Sequence, residues 1–160
     1  EIIYRLSQMM RFTIYEGRKH TVSVQDEIAY LENFIELNQL RHPARLDIQF
    51  TQTIENPEQR IPPLLFINLL ENAFKHGIDT LTSGQFIHFT FATNSEQITF
   101  EITNNFDKDV LEKNKRKRGS GGLGIENLER RLTLLFPDKH QYQASTTSHT
   151  YTARVSIDLT

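Results

Sequence analysis

The segment Leu64 to Gly77, LLFINLLENAFKHG, restricts the fold more than any other stretch of the chain. It is apolar almost all round at helical spacing, so most of it must be buried. Pro62 and Pro63 precede it, as suits a first helical turn, and Gly77 follows it at the usual C′ position. A helix is therefore expected from Pro62 to His76. Its polar residues are not scattered. Asn68, Glu71, Asn72 and Lys75 stand at i, i+3, i+4 and i+7 and share one face, with His76 at its margin. Asparagine is a poor helix former, so two of them inside a buried helix destabilise it unless they serve another purpose. Such a stripe either faces solvent or lines a polar cavity. The residue types favour the cavity. Amide and carboxylate oxygens are hard ligands of the kind Mg²⁺ takes while keeping several waters. A lysine one turn on supplies a positive point charge for a phosphate.

A second feature is Gly119-Ser120-Gly121-Gly122-Leu123-Gly124-Ile125-Glu126-Asn127, a glycine-rich run leading into a helix. Glycine lets a backbone approach an anion closely, and free amides at a helix start attract negative charge. Taken alone, such a run is as often a hinge. It lacks the Gly-Lys-Ser/Thr ending of a P-loop, and no strand directly precedes it as in a dinucleotide-binding turn.

Around these two features the chain alternates helical and strand patterns. Ile3, Leu6, Met10 and Ile14 predict a helix over Ile2 to Glu16, ended at Gly17. Ser23 is a candidate N-cap, with Asp26 and Glu27 favouring the positive start of a second helix. Val24, Ile28, Leu31 and Ile35 form its apolar stripe, and Pro43 stops it. Leu46, Ile48 and Phe50 alternate as in a half-buried strand. Phe86 to Phe91 and then Ile98, Phe100 and Ile102 predict an antiparallel hairpin turned at Asn94-Ser95. Residues 104 to 122 show little apolar period and include the basic run Lys113 to Arg118, so a long mobile loop is expected. A helix from Leu123 to Phe136 and a hairpin of Tyr142 to Thr147 with Tyr151 to Leu159 close the chain. Arg130 and Arg131 read as surface residues of that helix.

With 160 residues, 38% hydrophobic and 11 Phe, the chain can bury a core, which excludes a disordered protein. A net charge of −2 and pI near 6.3 give no basic field for nucleic acid. The absence of cysteine excludes disulfides, thiolate-held zinc and thiol chemistry. No apolar run approaches the ~20 residues that span a bilayer, and no signal peptide is visible. The chain opens at Glu1 in what reads as mid-helix, so a fragment of a longer protein is expected.

In order, the motifs are N-x-x-E-N-x-x-K-H on a buried helix, a hairpin, a polar loop, and G-x-G-I-E-N-L-E-R-R-L. This order resembles the ATP-binding catalytic domain of histidine kinases, in the GHKL (Bergerat-fold) ATPase superfamily. The chain is most similar to LytS/YehU-type sensor kinases. The front half, LSQMMRFTIYEG and VQDEIAYLENFIELNQLR, is similar to their linker between the dimerisation helices and the ATPase domain. The resemblance implies an α+β fold, a two-layer α/β sandwich with a mixed sheet and helices on one face. Residues 1–42 would be the helical linker and residues 43–160 the catalytic domain.

The resemblance also implies the site. Asn72 matches the Mg²⁺ ligand, and Asn68 a residue reaching metal or phosphate through water. Lys75 matches a phosphate contact, and His76 a contact near the sugar or phosphates. Glu71 resembles a polarising carboxylate, with a solvated charge as the equal alternative. Asn104 stands where the family's Asp-x-Gly-x-Gly box places an Asp against the adenine amino group, and both glycines of that box are replaced. An amide oxygen can still accept that hydrogen bond, more weakly than a carboxylate. Gly122, Leu123, Gly124 and Asn127 match the box that closes on the phosphates, with Gly119 and Gly121 as lid hinges and residues 106–121 as the ATP lid. ATP and Mg²⁺ are the implied cofactors. None of the six histidines stands in the N-P-H-F context of a phosphoacceptor, which is expected upstream in the full-length chain. The implied partners are a response regulator, of LytTR type by resemblance, and a second copy in the full-length homodimer. No direct contact with nucleic acid is expected. A cytoplasmic placement is implied, attached to an inner- or plasma-membrane sensor only through upstream segments. Where gyrase-like and chaperone-like relatives carry a Glu one turn before the Mg²⁺-binding Asn, this chain has Asn68, which argues against ATP hydrolysis by an activated water.

Overall fold

The computed structural model describes residues 1–42, 46–118 and 123–160. Helix α1 (Ile2–Arg11) runs into a π-helical turn (Phe12–Glu16), closed by the Gly17 amide donating to Phe12 O at 2.8 Å. Strand β1 (Val22–Ser23) leads into α2 (Val24–Arg41), where Ser23 Oγ accepts the Asp26 amide as the N-cap. The expected stripe Val24, Ile28, Leu31 and Ile35 is buried.

Among the described residues, β2 (Asp47–Ile54), β4 (Phe86–Thr93), β5 (Gln97–Asn105), β6 (His140–Thr146) and β7 (Thr150–Asp158) form one sheet in the order β2-β4-β5-β7-β6. The β2–β4 pair is parallel and the other pairs are antiparallel, so the sheet is mixed as expected. Strand β3 (Arg60–Ile61) pairs with β1 in a separate short ribbon. Period-2 alternation puts Ile87, Phe89, Phe91, Ile98, Phe100, Ile102, Ala153, Val155 and Ile157 on one face, all buried. That face is covered by α2, α3 (Ile67–His76) and α5 (Leu123–Leu135), whose buried side chains join the same core. Phe66 stacks on Phe100 at 5.1 Å between centroids and meets Phe91 edge-on at 5.2 Å, fixing the start of α3 over the sheet centre. The opposite face carries Thr90, Thr99, Glu101, Thr103, Thr152 and Arg154. This is the two-layer α+β sandwich that the resemblance implied.

Three local expectations change. Helix α3 starts at Ile67 rather than Pro62, because Leu64 adopts φ +56°, a left-handed conformation that cannot continue a right-handed helix. Gly77 ends α3 at φ −110°, so it is not a left-handed C′ glycine. It is instead a close-approach glycine: a Cβ there would lie 2.0 Å from Asn104 Nδ2. The third change lies in the expected loop. β5 continues through Asn105, and residues Lys108–Arg118 form a helix, α4. Lysine, arginine, glutamate and leucine are good helix formers, and Asp107 Oδ1 accepts the Val110 amide at 3.0 Å. An exposed helix needs little apolar period, which is why the pattern hid it.

Candidate functional site

Helix α3 buries Leu69, Leu70, Ala73 and Phe74 and turns its polar stripe outward. Asn68, Asn72 and His76 are half-buried, while Glu71 and Lys75 are exposed. The stripe is therefore a shallow polar surface, with its two amides more sheltered than its two charges. Partial desolvation beside the helix raises the Glu71 carboxyl above its ordinary range, and the nearby Lys75 ammonium opposes the shift. Among the described residues no group of three or more His, Cys, Asp or Glu gathers as a metal cluster. A divalent cation here would rest on amide oxygens, waters and a ligand's own oxygens, the usual situation of Mg²⁺.

Asn104 lies at the C-terminal end of β5 on the core face, in line with Phe100 and Ile102. It is 2% exposed. Its Nδ2 donates to Asn105 O at 3.0 Å, and its Oδ1 has no hydrogen-bond partner among the described residues. The neighbouring Asn105 is bound to the strand edge instead, where its Oδ1 accepts the Phe86 amide and its Nδ2 donates to Gly84 O. Gly77 permits Asn104 to lie against the end of α3. Thr80, in the short 3₁₀ turn Ile78–Thr80, donates to Gly77 O and accepts the Asp107 amide at 2.8 Å. The end of α3, the end of β5 and the start of α4 are thereby tied together.

Gly124 and Asn127, in the first turns of α5, are exposed. A Cβ at Gly124 would meet nothing within 4 Å, so packing within the protein does not demand glycine there. Leu123 is the first residue of α5. Gly119, Gly121 and Gly122 lie outside the described residues.

Two residues of this region have surroundings that their local sequence does not suggest. Arg131 is half-buried rather than a surface residue: Nη1 donates to Leu64 O at 2.6 Å and Nη2 to Pro63 O at 2.8 Å. Glu27, a helix-start charge by its position, is fully buried and accepts the amides of Leu64 at 2.8 Å, Leu65 at 2.9 Å and Phe66 at 3.4 Å. Burial pushes the Glu27 carboxyl up, while those amides and the Arg131 guanidinium pull it down. Burial lowers the Arg131 guanidinium, and the Glu27 carboxylate opposes that. The sequence signal for Glu27 is its place on the apolar stripe, between Val24 and Leu31. A cleft of about 570 Å³ lies elsewhere, at the junction of the π-helical turn and α2, lined by Gln8, Phe12, Tyr15, Asp26, Tyr30 and Asn33. No stripe residue lines it.

The family model described as "Histidine kinase" matches residues 1–46. The sensor histidine kinase/phosphatase LytS of Staphylococcus aureus is 26% identical over 156 aligned residues, covering 92% of this chain and 27% of LytS. The chain thus spans about a quarter of the length of the curated relatives it matches. The histidine kinase domain of the Erythrobacter litoralis EL346 blue-light activated histidine kinase superposes with a TM-score of 0.61 at 14% identity, over 99% of this chain and 73% of that one. Histidine kinase ThkA, in its complex with the response regulator protein TrrA, gives a TM-score of 0.53 at 13% identity, over 99% of this chain and 48% of that one. The solved structures share the fold, and the match to LytS runs through helical front and sheet alike. The chain is thus similar to sensor histidine kinases such as LytS and has the fold of histidine kinase catalytic domains.

Proposed function

We propose that the chain binds Mg·ATP across the α3 stripe, the end of β5 and the start of α5, and presents the γ-phosphate to a histidine outside these 160 residues. The observation that carries the reading is Asn104: a buried amide oxygen without a partner, at the foot of the helix bearing the Asn68/Asn72 stripe. Buried polar atoms are almost always satisfied, so an orphan acceptor on the core face is a place where a ligand's donor fits. The adenine amino group is such a donor, and the Nδ2 bond to Asn105 O holds the amide with its oxygen free to accept it. Asn72 and Asn68 offer the oxygens that fit a cation, and Lys75 the charge that fits a phosphate. Gly124 leaves the first turn of α5 open to an anion. When bound, Mg²⁺ neutralises phosphate charge; the chain's own residues orient the nucleotide and shield it. Glu71 stands on the same face to polarise the incoming group.

The phosphate would pass to a response regulator, as the ThkA complex suggests by analogy. A LytTR-type regulator, a homodimer in the full-length protein and a cytoplasmic position beside a membrane sensor rest on the LytS-like resemblance. Among the described residues no helix is long and apolar enough to cross a membrane.

The decisive experiment is calorimetric titration with ATP, with and without Mg²⁺. Saturable binding that weakens on chelation of the metal supports the reading, and no binding in either form refutes it. A second reading, a nucleotide-sensing or structural module without transfer, is favoured by the region after Asn104. Asn105 is committed to strand-edge bonds and Phe106 is buried. Phosphotransfer to a supplied acceptor-helix fragment separates the two.

A further inference from the structure

The turn before α3 is held from outside by two charges. Pro62 and Pro63 have no amide hydrogen to give. The next three amides, Leu64, Leu65 and Phe66, all donate to Glu27. The carbonyls of Pro63 and Leu64 accept from Arg131. Phe66, the N-cap residue of α3, has no side-chain cap of its own, so Glu27 acts as a remote cap delivered by α2. Glu27 faces the core from the first turn of α2, the helix that follows α1, and Arg131 comes from α5, the helix after the glycine-rich segment. The far end of α2 packs on the far end of α3 as well: Phe34 meets Phe74 edge-on, and the His42 ring stacks on Phe74 with centroids 6.4 Å apart. Packing alone would be served by an apolar residue at position 27. A carboxylate facing three amides, balanced by a guanidinium on two carbonyls, sets a position and an angle.

We propose that Glu27 and Arg131 are positioning residues for the nucleotide site: they clamp residues 63–66 and so fix Asn68 and Asn72 relative to both the linker helix α2 and the helix α5. The inference rests on the Mg·ATP reading. Its consequence is that movement of α2 changes the geometry offered to the metal, since Asn68 lies two residues beyond the clamped turn.

The test uses Glu27→Gln and Arg131→Lys, with Asp26→Asn as a control on the same turn. Glutamine keeps the volume of residue 27 but sets an NH₂ against amide donors. Lysine keeps the charge of residue 131 but loses the fork that reaches two carbonyls. Each variant is expected to weaken Mg·ATP binding about tenfold or more, the usual scale for residues that orient metal ligands. Binding of ATP without Mg²⁺ should change much less, because the base end is untouched. Asp26→Asn should match the wild type in both titrations. Folded E27Q and R131K that keep wild-type Mg·ATP affinity, or lose affinity equally with and without Mg²⁺, overturn the proposal. If E27Q does not fold, R131K decides. If the wild type binds no ATP at all, the proposed function fails, and the clamp is judged by hydrogen exchange. Faster exchange at amides 67–72 in E27Q with unchanged sheet amides supports it, and unchanged exchange there overturns it.

Discussion

Gly77→Ala probes the juncture between α3 and β5. The backbone at Gly77 has φ −110° and ψ −84°, so the glycine is not there for a left-handed turn. A Cβ would lie 2.0 Å from Asn104 Nδ2, 2.9 Å from Asn104 Cγ and 2.5 Å from Ala73 O. The Ala73 oxygen is backbone, and Asn104 is 2% exposed, so neither can step aside freely. Overpacking of this kind costs typically about 1–3 kcal/mol, and this case belongs at the upper end. Pushing Asn104 away also breaks its bond to Asn105 O, worth roughly 1 kcal/mol. The expected loss is therefore about 4 kcal/mol, or a fall in Tm of about 8–16 °C for a domain of this size. Urea unfolding should show a lower midpoint at unchanged slope. Asn104→Ala alone should be nearly neutral for stability, because it removes an unsatisfied buried oxygen along with one hydrogen bond. In the double variant two of the three clashes vanish, so the pair should couple favourably by about 1–2 kcal/mol. A Gly77→Ala protein within about 0.5 kcal/mol of wild type, the range of an innocuous surface change, would refute the steric argument.

Asn72→Ala should remove the Mg²⁺-dependent part of ATP binding while circular dichroism stays unchanged, read by calorimetry with and without metal. Asn104→Asp should raise the ATP-to-GTP affinity ratio, since a carboxylate accepts the adenine amino group better and repels the guanine carbonyl. Without nucleotide that variant should be less stable, because a charge enters a 2% exposed site and the bond to Asn105 O is lost; urea unfolding checks this. Amides of α4 should gain protection in hydrogen exchange when Mg·ATP binds. Asp107→Ala should fray the start of that helix in the free protein, at a local cost of about 1 kcal/mol. Lys75→Met removes the influence that holds the Glu71 carboxyl down, so its titration, followed by carboxyl-carbon NMR, should move further upward.

Much of the fold was legible in the chain because it rests on periodicities that neighbours in sequence can carry. The 3.6-residue stripe Val24–Ile28–Leu31–Ile35 and the period-2 runs of β4 and β5 both proved to be core faces. The polar stripe of α3 was legible for the same reason, as four side chains on one face of one helix. Asn104 was legible as an acceptor by resemblance. Its orphaned oxygen was not, because whether a side chain is satisfied depends on what arrives from elsewhere. The helix α4 was hidden because its amphipathicity is weak and its residues are driven by propensity and a single cap.

The sequence by itself determined which residues are apolar, at what spacing, and hence most of the long helices and strands and the face of α3 that stays polar. Only the tertiary structure decided where charges and glycines act. Glu27 on its own helix looks like a first-turn carboxylate, and Arg131 like a surface base. They become a clamp because α2 and α5 both reach the same short segment, residues 63–66. Gly77 reads as a helix terminator until β5 brings Asn104 against it. Glu27 and Leu65 are 38 positions apart in the chain, and Arg131 and Pro63 are 68 apart. No local pattern encodes a distance in space across such separations.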